Sequence, residues 1–231
     1  MIKKYITRAS IFYKFFLYYR LFYKEKFFIK RKSYSQCGED LFITKYMKKK
    51  NITKGIYVDL GAFHPIKYNN TFLLFKGGWS GTNIDLNQTA IDYFNIIRPN
   101  DINVCCAISN KDKKVRVFMN SIFSPLNSIS KDHAKKFNFE SRNRLSYVVK
   151  AKKFNSIIKK KIDFLNIDIE GLDYIVLKTI NLKYFNPKLI CIEILNKEDF
   201  EKVRDYLLKL DYFFIKKKIN SYFFEYRIKK N

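Results

Sequence analysis

The chain has 231 residues, and its 46 Lys and Arg against 21 Asp and Glu give a formal net charge of +25 and a pI near 9.8. Its hydrophobic content of 47%, with 18% aromatic residues, excludes a disordered polycation, and the length fits one α/β domain or two small ones. The charge alone does not indicate a nucleic-acid partner, because only nine of the basic residues are Arg and a lysine-rich, A/T-biased composition explains the excess equally well.

A basic, aromatic extension occupies the first 32 residues, where ten Lys or Arg stand against the single acid Glu25. Lys14 and Arg20 interrupt its apolar run well short of the roughly 18 residues that a membrane span needs. No small-residue cleavage site follows, which argues against a secretory signal. Two alternatives remain for residues 1–32, namely peripheral contact with an anionic membrane surface or a helix packed on the domain. We predict an extension over 1–33 and a folded domain over 34–231.

From Tyr34 onward, short apolar runs alternate with helical patterns, which predicts a largely parallel α/β sheet. A less regular stretch, 113–155, is predicted to be an insertion that could cover a site. Runs of alternating residues on either side of Ile219, Asn220 and Ser221 predict an antiparallel hairpin at the end. The predicted strands are 55–60, 80–86, 102–109, 161–168 and 188–195, and the predicted helices are 88–97, 172–180 and 198–208.

The four cysteines show no metal-ligand spacing, and neighbouring Cys105 and Cys106 would point to opposite faces of a strand. We interpret them as reduced thiols of a cytoplasmic protein.

Acidic residues, which are scarce in this chain, stand at the predicted carboxyl ends of strands, where open α/β sheets bind their ligands. Gly61, after the first strand, permits a tight turn and close approach of a ligand to the backbone. An acid at the end of the second strand is placed to bind the two hydroxyls of a ribose. The acids at strand ends are Asp59, Asp85, Asp168, Glu170 and Glu193.

Phosphate-binding motifs are absent, since the chain contains neither GxGxxG nor GxxxxGK[ST]. A nucleoside ligand without phosphates is therefore favoured, and S-adenosylmethionine fits this description. Its sulfonium is cationic, and its adenosine offers a ribose diol.

Four blocks resemble, in order, the motifs of the FkbM-type S-adenosylmethionine-dependent methyltransferases. They are YSQCGED (34–40), YVDLGAFHP (57–65), NNTFLLFKGGWSGTNIDLN (69–87) and FLNIDIEGLDYIVLK (164–178). The resemblance implies a Rossmann-like class I methyltransferase fold, with a mostly parallel seven-stranded sheet, a C-terminal antiparallel hairpin and helices on both faces. It also implies an O-methyltransferase that acts on a hydroxyl of a sugar or polyketide.

The same resemblance implies which residues bind the cofactor. Asp59 and Gly61 are expected beside its methionine part and Asp85 beside its ribose. Gln36, in the first block, and Ala107, in the predicted third strand, complete the expected cofactor-binding set.

A protonated sugar hydroxyl is a poor nucleophile, so methyl transfer to it requires a general base or a metal ion that lowers its pKa. The candidates for catalysis are Asp168, Glu170, Glu193 and His64. The three carboxylates are also candidate ligands of Mg²⁺ or another divalent cation, because converging carboxylates repel one another unless a proton or a hard cation lies among them. Simpler roles remain open, in which Glu170 begins a helix and His64 hydrogen-bonds its own loop.

We therefore expect an O-methyltransferase for a sugar or glycan precursor of surface-polysaccharide type, with no nucleic-acid partner. It is expected to be cytoplasmic, and a position at the inner membrane face stays open. The charge keeps open an RNA-binding or RNA-modifying methyltransferase, although no NPPY-like motif is present. The third hypothesis is a non-catalytic, membrane-associated protein.

Overall fold

A computed structural model describes residues 8, 11–26, 30–119, 129 and 145–228. The middle of the predicted insertion, 120–128 and 130–144, lies outside these residues, as do Lys3 and Lys4 of the extension. The helices are α1 (Ile11–Tyr18), which continues into a π-helical turn (Tyr19–Lys24), α2 (Glu39–Lys49), α3 (Phe72–Lys76), α4 (Gln88–Ile97), α5 (Phe154–Ile157), α6 (Asp173–Leu177), α7 (Leu182–Phe185) and α8 (Lys197–Leu208). The strands are β1 (Ile56–Leu60), β2 (Ser80–Asp85), β3 (Ile102–Cys105), β4 (Ala107–Ile108), β5 (Lys113–Met119), β6 (Leu145–Lys152), β7 (Phe164–Ile167), β8 (Leu189–Glu193), β9 (Tyr212–Lys218) and β10 (Ser221–Tyr226).

Seven strands form one sheet in the order β3-β2-β1-β7-β8-β10-β9. The five neighbouring strands β3, β2, β1, β7 and β8 run parallel, whereas β10 is antiparallel to both β8 and β9. The strand order reverses between β1 and β7, which creates a crevice at the carboxyl ends of these strands. This is the expected Rossmann-like class I methyltransferase fold, and the predicted C-terminal hairpin is confirmed.

Helices cover both faces of the sheet, because successive residues of each strand point to opposite sides. In β1, Val58 and Leu60 join a core that also holds side chains of α6, α7 and α8. Tyr57, just before Val58 and on the opposite face, joins a second core against α2 and α3. The central strands are therefore buried on both sides, and only their carboxyl ends are accessible to a ligand.

The third predicted strand, 102–109, is wrong as a single strand. It breaks at Cys106, whose backbone N–H donates to the carbonyl of Asp85 at 3.0 Å. Beyond the break, β4 pairs with β6, and β6 pairs with β5, in a separate three-stranded sheet. The two strand-like runs of the predicted insertion, β5 and β6, thus form a small sheet with β4 beside the carboxyl end of β2.

The described part of the extension packs on the domain. Leu17 and Leu21 are buried against Tyr93 of α4, and Arg8 donates twice to the carboxylate of Asp92 at 2.7 and 2.8 Å. Within the described residues, no helix is both long enough and apolar enough to cross a membrane.

A fully buried arginine, Arg98 at the end of α4, holds the loop that follows β1. Its guanidinium donates to the carbonyl of Pro65, to Asn69 Oδ1 at 2.7 Å and to Thr71 Oγ1 at 2.9 Å. Because a planar guanidinium has five N–H donors in fixed directions, it can bind all three partners at once. The side chain of Arg98 therefore holds the loop over 61–71 at three points.

Replacing Arg98 with Met should lower the free energy of unfolding by about 3 kcal/mol or more, because buried acceptors lose a charged donor. Arg98→Lys should recover little of this loss, since the donors of an ammonium all radiate from one nitrogen and cannot reach acceptors that Nε, Nη1 and Nη2 contact separately. Urea unfolding measures both values. The control Arg204→Met, in which the lost side chain is exposed and contacts Asp205, should cost less than about 1 kcal/mol. Equal losses in the Arg98 and Arg204 variants would contradict the anchoring role.

Candidate active site

A cavity of about 850 Å³ opens at the carboxyl ends of β1, β2 and β7. Its wall combines apolar side chains with a few carboxylates and amides, as ligand pockets commonly do. The predicted cofactor residues Gln36, Gly61, Asp85 and Ala107 line it, together with Asp168 and Glu170 of the predicted catalytic set. The remaining lining residues are Leu60, Phe63, Tyr68, Ile84, Leu86, Cys106, Ile108, Ile129, Ile169 and Leu172.

Asp59 lies beneath this cavity and does not line it. Its side chain is buried, and it accepts hydrogen bonds from Thr71 at 2.8 Å, Asn166 at 2.8 Å and Asn69 at 3.2 Å. Burial raises the pKa of Asp59, while these donors and the charge of Arg98 oppose that rise. Asp59 therefore joins β1, β7 and the loop after β1, a positioning contribution rather than a contact with a ligand.

Gly61 forms the floor of the cavity. Its φ of 76° lies in the left-handed region, and a Cβ at this position would lie 1.6 Å from the carbonyl oxygen of Asp168. Its backbone N–H donates to the carbonyl of Ile84 at 2.9 Å. Only glycine therefore lets the turn after β1 pass between the ends of β2 and β7.

Asp85 ends β2 at the cavity wall. Its carboxylate accepts the backbone N–H groups of Phe63 at 2.9 Å and Asn87 at 2.6 Å. Burial raises its pKa to about 6, although both hydrogen bonds favour the ionised form. Asp85 is thus a carboxylate held by two backbone donors, with its remaining acceptor positions available to a diol.

A second, smaller cavity of about 420 Å³ adjoins the first. Gln36, Tyr68 and Asp168 line both cavities. The rest of its lining is mostly polar and comes from α2, from the loop after β1, and from the ends of β8 and the terminal hairpin: Cys37, Glu39, Asn70, Glu193, Ile219, Asn220 and Ser221.

Asp168 lies where the two cavities meet, with Glu193 in the second cavity. Burial raises the pKa of Asp168 well above its ordinary value, and the charges of Glu193, Asp173 and Glu170 add to the rise. A carboxylate in this environment binds a proton more tightly than an exposed aspartate does. Asp168 is therefore suited to take a proton from a bound group.

The predicted metal site is not supported. In the ranges that the structure describes, no three His, Cys, Asp or Glu side chains are grouped so as to hold a metal ion. Of the three candidate ligands, Asp168 and Glu193 share the second cavity, whereas Glu170 lines only the first.

His64 lies outside both linings. Its Nδ1 accepts backbone N–H groups from Ile66 at 3.1 Å and Lys67 at 3.0 Å, and its Nε2 lies 2.8 Å from Glu25. Burial lowers the pKa of His64, so the neutral ring with its proton on Nε2 matches these contacts. The structure thus engages both ring nitrogens of His64 in holding its own loop and the extension.

Helix α6 begins with Asp173, not with Glu170. The Asp173 carboxylate accepts the backbone N–H groups of Ile169 at 2.9 Å and Gly171 at 3.1 Å, while Glu170 has a φ of 58° and lines the cavity. Glu170 therefore does not act as the helix cap that remained open as its simpler role.

Sequence reasoning missed Asn69, Asn166, Arg98 and Asp173. Asn166 had a usable signal, because it precedes Asp168 by two residues on the same face of a strand. Arg98 had none, since a basic residue after a helix usually faces solvent.

The residues of the first cavity fit S-adenosylmethionine. The glycine turn leaves the backbone open to a ligand's amino-acid part, Asp85 offers carboxylate oxygens to a ribose diol, and Ile84, Ala107 and Ile108 provide an apolar surface for an adenine ring.

The variant Gly61→Ala should abolish cofactor binding, because its Cβ would separate the ends of β1 and β7. Gly78→Ala is a matched control. Gly78 has a similar φ of 83°, but its added Cβ would meet only Lys54 at 3.7 Å. The control should therefore lose about 1–2 kcal/mol of stability and keep its cofactor affinity, as measured by calorimetry and thermal unfolding. Equal cofactor binding in the two variants would show that the contact at Gly61 is unimportant.

No curated protein matches the chain. One solved structure that the chain matches, a candidate RNA methyltransferase from Pyrococcus horikoshii, is 12% identical with a TM-score of 0.38, over 83% of this chain and 84% of that one. The FkbM methyltransferase domain model matches residues 59–214, which is more than half of the chain. The matched range includes the ends of β1, β2 and β7, where the first cavity opens. The chain therefore belongs to the FkbM methyltransferase family and is an S-adenosylmethionine-dependent methyltransferase.

Proposed function

We propose that this enzyme methylates a hydroxyl of a sugar or glycan precursor, with the cofactor in the first cavity and the acceptor in the second. The observation that carries the proposal is the position of Asp168, which lines both cavities. A base at this junction can contact an acceptor oxygen and stay close to a methyl donor. The bound cofactor supplies an electrophilic methyl group on a sulfonium.

The second cavity supports a small, hydroxyl-rich acceptor. Its volume of about 420 Å³ is near the lower end of the usual range of about 300–1,000 Å³ for ligand pockets. Gln36, Asn70, Asn220 and Ser221 offer amide and hydroxyl groups, which are suited to hydrogen-bond several sugar hydroxyls.

The acidic lining favours such an acceptor over RNA. Glu39, Asp168 and Glu193 contribute three carboxyl groups to the second cavity, and phosphates are repelled by carboxylates. The basic composition of the chain therefore does not extend to the cavity that would receive the acceptor.

In the proposed mechanism, Asp168 accepts the proton of the acceptor hydroxyl as its oxygen attacks the methyl carbon. As the hydroxyl oxygen gains a bond to the methyl carbon, the bond from that carbon to sulfur would break and the spent cofactor would leave as a neutral thioether, while the proton passes to the Asp168 carboxylate. Glu193 keeps the pKa of Asp168 high through its own charge. The loop after β1, anchored by Asp59 and Arg98, keeps Gly61 in place beneath the cofactor.

Product analysis tests the reaction itself. Glycans and, in a separate reaction, RNA extracted from cells that lack this protein are each incubated with the pure enzyme and S-adenosylmethionine carrying a ¹³C methyl group. An O-methyl carbon signal on a sugar supports the proposal. Label that appears only in an RNA fraction, or only on nitrogen, would contradict it.

For the base, Asp168→Asn should lower kcat by about 10²–10⁴-fold, because the hydroxyl then reacts without proton acceptance. Cofactor affinity, measured by calorimetry, should stay within a few-fold of wild type. The companion variant Glu193→Gln removes the negative charge that raises the pKa of Asp168, so the acidic limb of the kcat/KM profile should move to lower pH. A near-normal rate in Asp168→Asn would remove Asp168 as the base.

For the ribose contact, cofactor affinity should fall as pH drops through about 6, by about tenfold per pH unit below that value. The raised pKa of Asp85 means that this carboxyl becomes protonated there and loses acceptor capacity. Asp85→Asn should bind the cofactor weakly, with little dependence on pH, whereas Asp205→Asn on exposed α8 should follow wild type. A pH dependence that persists in Asp85→Asn would assign it to another group, such as Asp173, whose pKa burial also raises to about 6.

A further inference from the structure

The extension presents a second apolar face. We define the outer ridge as the exposed apolar residues of α1 and the π-helical turn. Their exposed fractions range from 50% at Tyr18 and Phe22 to 69% at Phe12. The ridge consists of Ile11, Phe12, Phe15, Tyr18, Tyr19, Phe22 and Tyr23.

The opposite face of the same segment is fixed to the domain. Leu17 and Leu21 are 2% and 1% exposed and pack with Tyr93 of α4. Tyr13 donates to Asp92 at 2.8 Å, and Asp92 also binds Arg8. The segment is thus held in one orientation, and the outer ridge cannot turn inward without losing these contacts.

Neighbouring rings of the ridge stack on one another. Tyr18 and Phe22 lie 5.9 Å apart between ring centroids, and Tyr19 and Tyr23 lie 5.2 Å apart. Both pairs are four residues apart and therefore lie on one side of the helical segment. The result is a continuous aromatic surface, whereas soluble monomers usually expose large apolar side chains singly.

Basic residues border this surface. Lys14, Lys24 and Lys26 are exposed within the segment, and Lys30 and Arg31 are exposed just after it. The acid of the segment, Glu25, points toward the domain, where it lies 2.8 Å from His64 and 3.1 Å from Arg20. The outward side is therefore cationic as well as aromatic.

We propose that the outer ridge docks on an anionic lipid surface. Phe and Tyr rings partition to the headgroup region, and lysines beside them gain from contact with acidic lipids. A second copy of the chain is a poor occupant, because each copy carries a formal charge of +25 and would repel the other. The segment would lie along the surface with its inner face still bound to α4.

This position would also orient the active site. Glu25 contacts His64 on the loop after β1, and the neighbouring Phe63 lines the cofactor cavity. The ridge and the cofactor cavity are therefore connected through a few residues of one loop. The proposal stands without the proposed acceptor, since it concerns binding to lipid alone.

Vesicle flotation of the full-length protein tests the proposal. Vesicles of phosphatidylcholine are compared with vesicles in which a third of the lipid is phosphatidylglycerol. Wild type should float with the anionic vesicles and be released at high salt. The triple variant F12Q/F15Q/F22Q should bind about a hundredfold more weakly, because three rings no longer enter the interface. The variant K14Q/K24Q/K26Q should bind at least about tenfold more weakly at low salt.

The control triple I102Q/V148Q/I175Q changes three residues that are 60%, 61% and 58% exposed on other elements, and it should bind like wild type. Cofactor affinity and the circular dichroism spectrum should be unchanged in all three variants, which separates lipid binding from folding. Failure of wild type to float, or flotation of the ridge variant as strong as that of wild type, would overturn the proposal. So would a wild-type dimer that the ridge variant dissociates and that binds no vesicles, since the ridge would then be a contact between copies.

Discussion

The arrangement of the site depends on the hydrogen bonds that the buried carboxylate of Asp59 accepts. A charged group removed from water is costly unless it is fully hydrogen-bonded. Here the donors come from Asn69 and Thr71 in the loop after β1 and from Asn166 in β7, so the need to satisfy one carboxylate joins three segments of the chain. Arg98 extends this network to the end of α4 by binding the same Asn69 and Thr71.

One consequence is that the two halves of the crevice have a fixed separation. The close approach of Gly61 to the carbonyl of Asp168 leaves no room for one strand end to shift alone. Gly61, which forms the floor of the first cavity, and Asp168, the proposed base, are therefore parts of one rigid unit. Such fixed geometry is what alignment of a nucleophile with a methyl carbon demands.

The fold was largely predictable from sequence, because buried parallel strands are short apolar runs and the acids at their ends mark the open edge of the sheet. The acids Asp85 and Asp168 were predicted in this way to lie at that edge, where both line the first cavity. The roles of Asp59 and His64 were not, since a residue at a strand end can point into the crevice or beneath it, and only the packing of the loop over 61–71 decides this. The break at Cys106 was also hidden, because an apolar run does not reveal where its strand changes sheet.

The short connection between β9 and β10 places Ile219, Asn220 and Ser221 in the second cavity. These three residues are far in sequence from the residues that line only the first cavity. A turn at the end of a hairpin can change its side chains at little cost to the core. With the proposed acceptor in this cavity, exchange of a few residues at the tip of the hairpin would change which acceptor is recognised. The Asp59 network and the cofactor-binding half then stay intact, because none of their residues lies in this turn.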